Sequence, residues 1–181
     1  ERVSYETRLE GDVPVYRAVL EADVVLEPGR RDPAFQLELA SEPDSGTLRA
    51  GESLRLTVTP SKDCYVTVLH LDPQGGVERV FPNRFQPDHG VRGGTARTIP
   101  APEDGFELRA ELERGRHRQH EQILVVATLD PIRFEVATAS DPDELVPNAI
   151  ESIALSRLNR WLLEVPVDRR VEALWSYEIV E

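Results

Sequence analysis

Between Val13 and Pro28 apolar and polar positions alternate. Tyr16, Ala18, Leu20, Ala22, Val24 and Leu26 share one parity, and Arg17, Glu21 and Asp23 share the other, with Val15, Val19 and Val25 among them. A period of two is that of a strand with one face buried, and Pro28-Gly29 ends it. The same alternation returns at Ala34 to Leu39 and at Leu54 to Thr59, the latter stopped by Pro60. Cys64 to Leu71 is rich in β-branched and aromatic residues. It is followed by a hairpin turn at Asp72 to Gly76 and a return strand at Val77 to Phe81. Ser41 to Gly51 and Arg84 to Gly94 read as polar loops. Arg97 to Ile99 is a short strand, and Phe106 to Leu112 is extended. Glu113 to His120 is a turn crowded with arginine. Ile123 to Ala127 is apolar at both parities, which predicts a central strand covered on both faces.

The period changes once. Over Asn148 to Leu163, Ile150, Ile153, Ala154, Leu158, Trp161 and Leu162 recur every three or four residues, the apolar stripe of a helix. Pro147 starts it and Pro166 lies beyond its end. Val171, Ala173, Trp175, Tyr177 and Ile179 then alternate again. Short strands, frequent turns and one late helix predict a mainly β fold, an immunoglobulin-like antiparallel β-sandwich with one C-terminal amphipathic helix and a final strand. The whole chain, 1–181, is expected to be one domain, with N-terminal strands over 13–40, a core over 51–129, and the helix plus closing strand over 146–181. The two longest alternating strands lie near the chain's ends and are expected to pair or share a sheet.

The chain has 181 residues, enough for one core without staples. Its formal charge is −12, which opposes binding to nucleic-acid backbones and anionic lipid. No apolar run is long enough to span a membrane. A single cysteine excludes an internal disulfide and any multi-cysteine metal site. There is no methionine and position 1 is glutamate, so the chain is expected to be a segment of a longer protein.

Few residues carry chemistry. Cys64 and His70 share one strand, six residues apart, or about 20 Å, so they cannot form a nucleophile–base pair with each other. Cys64 reads as a core thiol. His117, His120 and Glu121 superficially resemble a zinc signature, and they give one alternative, a metal-assisted hydrolase. The order H-x-x-H-E departs from the helical forms, and Arg114, Arg116 and Arg118 oppose a dication. Asp141 to Glu144 lacks the spacing that wraps calcium. No cofactor motif is present. The one basic cluster, Arg114, Arg116, His117, Arg118 and His120, and the long loop with Arg84 and Arg92 are the candidate contact surfaces. Tyr5 and Phe85 keep a second alternative open, a carbohydrate- or peptidoglycan-binding module, whereas Trp161 and Trp175 fall on buried faces.

One stretch resembles a known family. Pro60-Ser61-Lys62-Asp63-Cys64-Tyr65-Val66-Thr67-Val68-Leu69 precedes Gly75-Gly76-Val77, Phe81-Pro82-Asn83, Thr98-Ile99-Pro100, Phe106-Glu107-Leu108 and Glu121 to Ala127. Over Gly51 to Leu129 this order is similar to the bacterial domain-of-unknown-function family 4384. Strand ends and turns explain the shared residues, since proline stops pairing and asparagine bonds its own backbone. The resemblance therefore carries a fold and no catalytic residues. It implies an accessory module of a larger bacterial protein. The flanking segments resemble the exported, envelope-associated members, some of them lipoproteins, and point to the periplasm or cell envelope. Attachment to an enzymatic domain would place the module in the cytoplasm. The expectation is a non-enzymatic interaction module whose partner is a protein, a neighbouring domain or a glycan.

Overall fold

The structure, a computed structural model, describes residues 2–10, 13–21, 29–73, 76–132 and 157–181. Twelve strands and one helix are described. β1 (Arg2–Glu10) and β2 (Val13–Glu21) form a hairpin. β3 (Leu37–Glu42), β5 (Ser53–Pro60), β9 (Arg97–Ile99) and β10 (Leu108–Arg109) form a small sheet, in which β3 lies on one side of β5 and both β9 and β10 on the other. The large sheet runs β4 (Thr47–Arg49), β12 (Arg170–Val180), β11 (Arg118–Thr128), β6 (Cys64–Leu71), β7 (Val77–Phe81), and β8 (Gly90–Val91) also pairs with β6. Its ladders are antiparallel except β4 on β12. Helix α1 is described over 157–164.

Parity along the strands explains the layers. On β6, Cys64, Val66 and Val68 face the small sheet and pack with Leu54, Leu56, Val58 and Ile99. On β11, Ile123, Val125 and Ala127 join them, and on β12, Tyr177 and Ile179. The opposite parity faces outward. Leu69, Val77, Leu124 and Val126 form a second core with Leu158, Trp161 and Val165 from α1 and the chain after it. The large sheet is thus apolar on both faces at its centre, as the unbroken run Ile123 to Ala127 predicts. A helix stripe has to bury against such a face. The architecture is the expected β-sandwich with one helix near the C-terminus.

Three expectations are corrected. The first predicted strand, described as β2 over Val13–Glu21, does not lie beside the C-terminal strand. It pairs with β1, and Pro14 to Ala18 are exposed. The partners of β12 are β11 and β4. Alternation reports a two-faced strand and is silent on which strand lies beside it. The arginine-rich turn is shorter than expected, because β11 already begins at Arg118. The loop from Ser41 to Gly51 contains β4, whose three residues bury Leu48 alone. Residues 22–28, 74–75 and 133–156 lie outside the described residues. With them lie the end of the first predicted strand, the Asp141 to Glu144 turn and the start of the predicted helix.

Candidate functional site

The inward parity of β11 changes character at its N-terminal end. Ile123, Val125 and Ala127 are succeeded by Glu121 and Gln119, both buried. A carboxylate only 7% exposed needs partners, and neighbouring strands supply them. Register sets Tyr177 of β12 directly opposite Glu121, and its hydroxyl donates to Oε2 at 2.7 Å. His70 of β6 stands opposite Ile123, one inward position further along, and its Nε2 lies 2.8 Å from the same oxygen. Gln119 Nε2 donates to Oε1 at 2.7 Å. The Gln119 carbonyl oxygen in turn accepts from the Glu113 backbone N–H at 3.2 Å, which ties the arginine-rich turn to the network. The Trp175 ring stacks on Tyr177 with centroids 4.5 Å apart.

Burial alone would push the Glu121 carboxyl up. The bonds from His70 and Tyr177, the His70 charge and the Gln119 bond outweigh it and hold the carboxyl below its ordinary value. Burial alone would likewise push His70 down. The Glu121 hydrogen bond and charge, with Glu78 and Asp72 nearby, raise it instead. Burial and the bonded carboxylate together push the Tyr177 hydroxyl up, so it stays a donor. The three strands therefore hold a charge-assisted cluster in which every Glu121 oxygen is engaged.

This cluster forms the floor of a cleft of about 930 Å³ at one end of the sandwich. Leu54, Ile123, Leu108 and Val80 give it apolar walls, and Glu78, Glu107 and Glu111 lie around them. The Asn83 turn shapes one lip. Its carbonyl oxygen accepts from the backbone of Phe85 and Gln86, and its amide donates to the Val80 carbonyl. That turn presents Phe85, which is 50% exposed, with the Arg84 guanidinium 4.6 Å above its ring and Phe106 stacked beside it at 6.4 Å. Arg109 is forked onto Glu107 at 2.8 and 2.9 Å. The cleft lies between β7, the edge of the large sheet, and β10 on the edge of the small one, and no ladder joins those two strands. Among the described residues the sandwich is open there.

The sequence candidates divide. Arg84 stands at the cleft mouth without a carboxylate partner among the described residues. Arg92 is exposed at the far end of β6. There Gly93 N–H donates to Asp63 and Gly94 N–H to the Pro60 carbonyl, pinning the long loop. A Cβ at Gly93 would meet the Lys62 backbone at 2.8 Å, so only glycine allows that approach. In the basic turn, Arg116 pairs with Glu113 at 2.9 Å, His117 with Glu181 at 2.7 Å, Arg118 with Glu178 at 3.3 Å and His120 with Glu178 at 3.5 Å. Arg114 is exposed with no such partner among the described residues. The structure does not bring His117, His120 and Glu121 together. His120 and Glu121 are adjacent on a strand and face opposite sides, one exposed and one buried. Among the described residues no group of three or more His, Cys, Asp or Glu could hold a metal ion. Cys64 is a core thiol pushed up to about 11 by burial and the nearby Asp63 charge. Sequence reasoning missed the His70–Glu121–Tyr177 cluster. Its signal was present: a glutamate at the inward parity of an otherwise apolar strand.

No helix among the described residues is long and apolar enough to cross a membrane. Comparison with curated proteins and with solved structures gave no match. Residues 47–131, which run from β4 past the end of β11 and carry most of the cleft, match the model of a domain of unknown function, DUF4384, and this segment of the chain belongs to that family.

Proposed function

We propose that this chain is a non-enzymatic recognition module of a larger, exported bacterial envelope protein, and that it seats an extended segment of a protein partner in the cleft. One observation carries this reading: among the described residues the cleft opens between two unjoined sheet edges, with apolar walls over a charge-paired floor and a cation held at its mouth. Edge strands offer main-chain donors and acceptors to an incoming strand. Arg84, kept over the Phe85 ring and without a carboxylate partner among the described residues, is arranged in advance to fork onto an acidic group of that segment. In the basic turn, Arg116, Arg118 and both histidines already have carboxylates, so Arg84 is the stronger anchor. The Phe85 ring already engages Arg84 and Phe106, which favours a peptide over a sugar stacked on it. The envelope location rests on the likeness of the flanking segments to exported members of the family.

The test is selection from a phage-displayed random-peptide library. Enriched peptides should share an acidic residue beside alternating apolar ones, and should bind the Arg84→Ala variant about tenfold or more weakly. Failure of a monomeric preparation to enrich any peptide, or binding indifferent to Arg84, overturns the reading. Fractionation of cells making the full-length protein tests location, and recovery in the cytosol would remove the envelope assignment.

A further inference from the structure

Among the described residues the fold holds an unfilled strand site and a pair of strands with no third partner. There β7 and β10 leave the cleft open, and β1 and β2 pair only with each other. A two-stranded hairpin is at best marginal in water without a third strand or a packed face. Pro14 to Ala18 are exposed, Tyr16 to 77%. The hairpin's register sets Val3 opposite Leu20, Tyr5 opposite Ala18 and Thr7 opposite Tyr16, while Glu6 stands opposite Arg17. These pairs alternate with ones that carry a charged or polar side chain on at least one strand, the pattern of a strand pair with one face more apolar than the other. β1 has nine residues and no proline, so its outer edge can donate and accept without a gap, whereas β2 is interrupted at Pro14. β7 is likewise free of proline from Val77 to Phe81.

We propose that the β1–β2 hairpin of one copy adds through β1 to the β7 edge in the cleft of a second copy. This rests on the cleft being a strand-accepting site and names its occupant. Within one chain the hairpin forms a sheet separate from β7, so the pairing proposed is one between copies. Reciprocal exchange closes as a dimer, fills both clefts and gives each hairpin its missing third strand.

The experiment uses the full chain. Thr7→Cys and Glu78→Cys are introduced singly into separate preparations, both at exposed positions. The native Cys64 is buried and its thiol is pushed up to about 11, so it does not compete. The two preparations are mixed and oxidised. A covalent heterodimer should form between Thr7→Cys and Glu78→Cys chains, and little should form between Thr7→Cys and Arg92→Cys, which lies at the opposite end of β6. Light scattering of the unmodified chain should show association. A monomer, or cross-linking equal in the two pairings, overturns the proposal. A monomer that still binds a selected peptide through Arg84 ends the hairpin proposal and leaves the cleft reading intact. A monomer that binds no peptide ends both.

Discussion

Replacing Glu121 with glutamine keeps the shape of the side chain and removes its charge. The native carboxylate accepts at both oxygens, from His70 and Tyr177 at one and from Gln119 at the other. An amide has only one accepting oxygen. If that oxygen keeps His70 and Tyr177, the new NH2 meets the Gln119 NH2, two donors face to face. Gln119 cannot simply flip, because its own carbonyl oxygen holds the Glu113 backbone. Hydrogen bonds to a charged group contribute about 1.5–3 kcal/mol each, and a neutral one about 1. Two bonds weakened and one lost give a cost of about 3 kcal/mol. The cost should depend on pH. His70 is raised, so its contribution is complete below its ordinary value of 6.5 and fades as pH rises through the higher folded value. Glu121 is lowered, so its contribution is complete above its ordinary value of 4.5 and fades as pH falls through the lower folded value. The gap between native protein and Glu121→Gln should therefore be widest between pH 4.5 and 6.5 and narrow on either side. Urea unfolding of both proteins across pH 3 to 9 measures it. A gap that is flat with pH, or below about 1 kcal/mol at its widest, would refute the ionised cluster.

Three further outcomes are expected. Arg170 is buried, bonds Glu172 through Nε at 2.7 Å, and donates to the Leu162 and Val165 carbonyls where α1 ends. Arg170→Met should cost about 2–4 kcal/mol in urea unfolding, since it strands those acceptors and the carboxylate. Leu69→Ala, at a fully buried position between the large sheet and α1, should cost about 2–5 kcal/mol in the same assay. Cys64 should resist a disulfide-exchange reagent at pH 8 in the native state and react at the rate of unfolding. Immediate labelling would contradict its burial and raised pKa.

The core of this fold was legible because parity and burial are the same information. β6 and β7 fall where Cys64 to Leu71 and Val77 to Phe81 predict, and the inward face of β12 carries Tyr177 and Ile179 as the alternation requires. Pairing was not legible. Val13 to Glu21 reads equally well as a strand beside β12 or beside β1, since the partner is set by chain geometry and not by the strand's own pattern. β4 was missed because three residues with one buried leucine carry no period at all. The site was half legible. Arg84 stood out by charge, but Glu121 was grouped with His117 and His120 because they are close in sequence. On a strand, adjacent residues are the ones that face apart. The partners of Glu121 are far along the chain and arrive only by register.

The position of β12 has a consequence for how the chain comes to fold during synthesis. It lies between β4 and β11, and both of those strands fall within the matched segment 47–131, whereas β12 begins only at Arg170. Until β12 emerges from the ribosome, β11 lacks its partner on one edge and β4 lacks the one partner it has among the described residues. Tyr177 and Ile179 are also missing from the core until then. Such distant pairing is slow to form. The nascent chain thus passes through an interval in which a long apolar strand is made but uncovered, and chaperone binding at Ile123 to Ala127 is expected to peak in that interval.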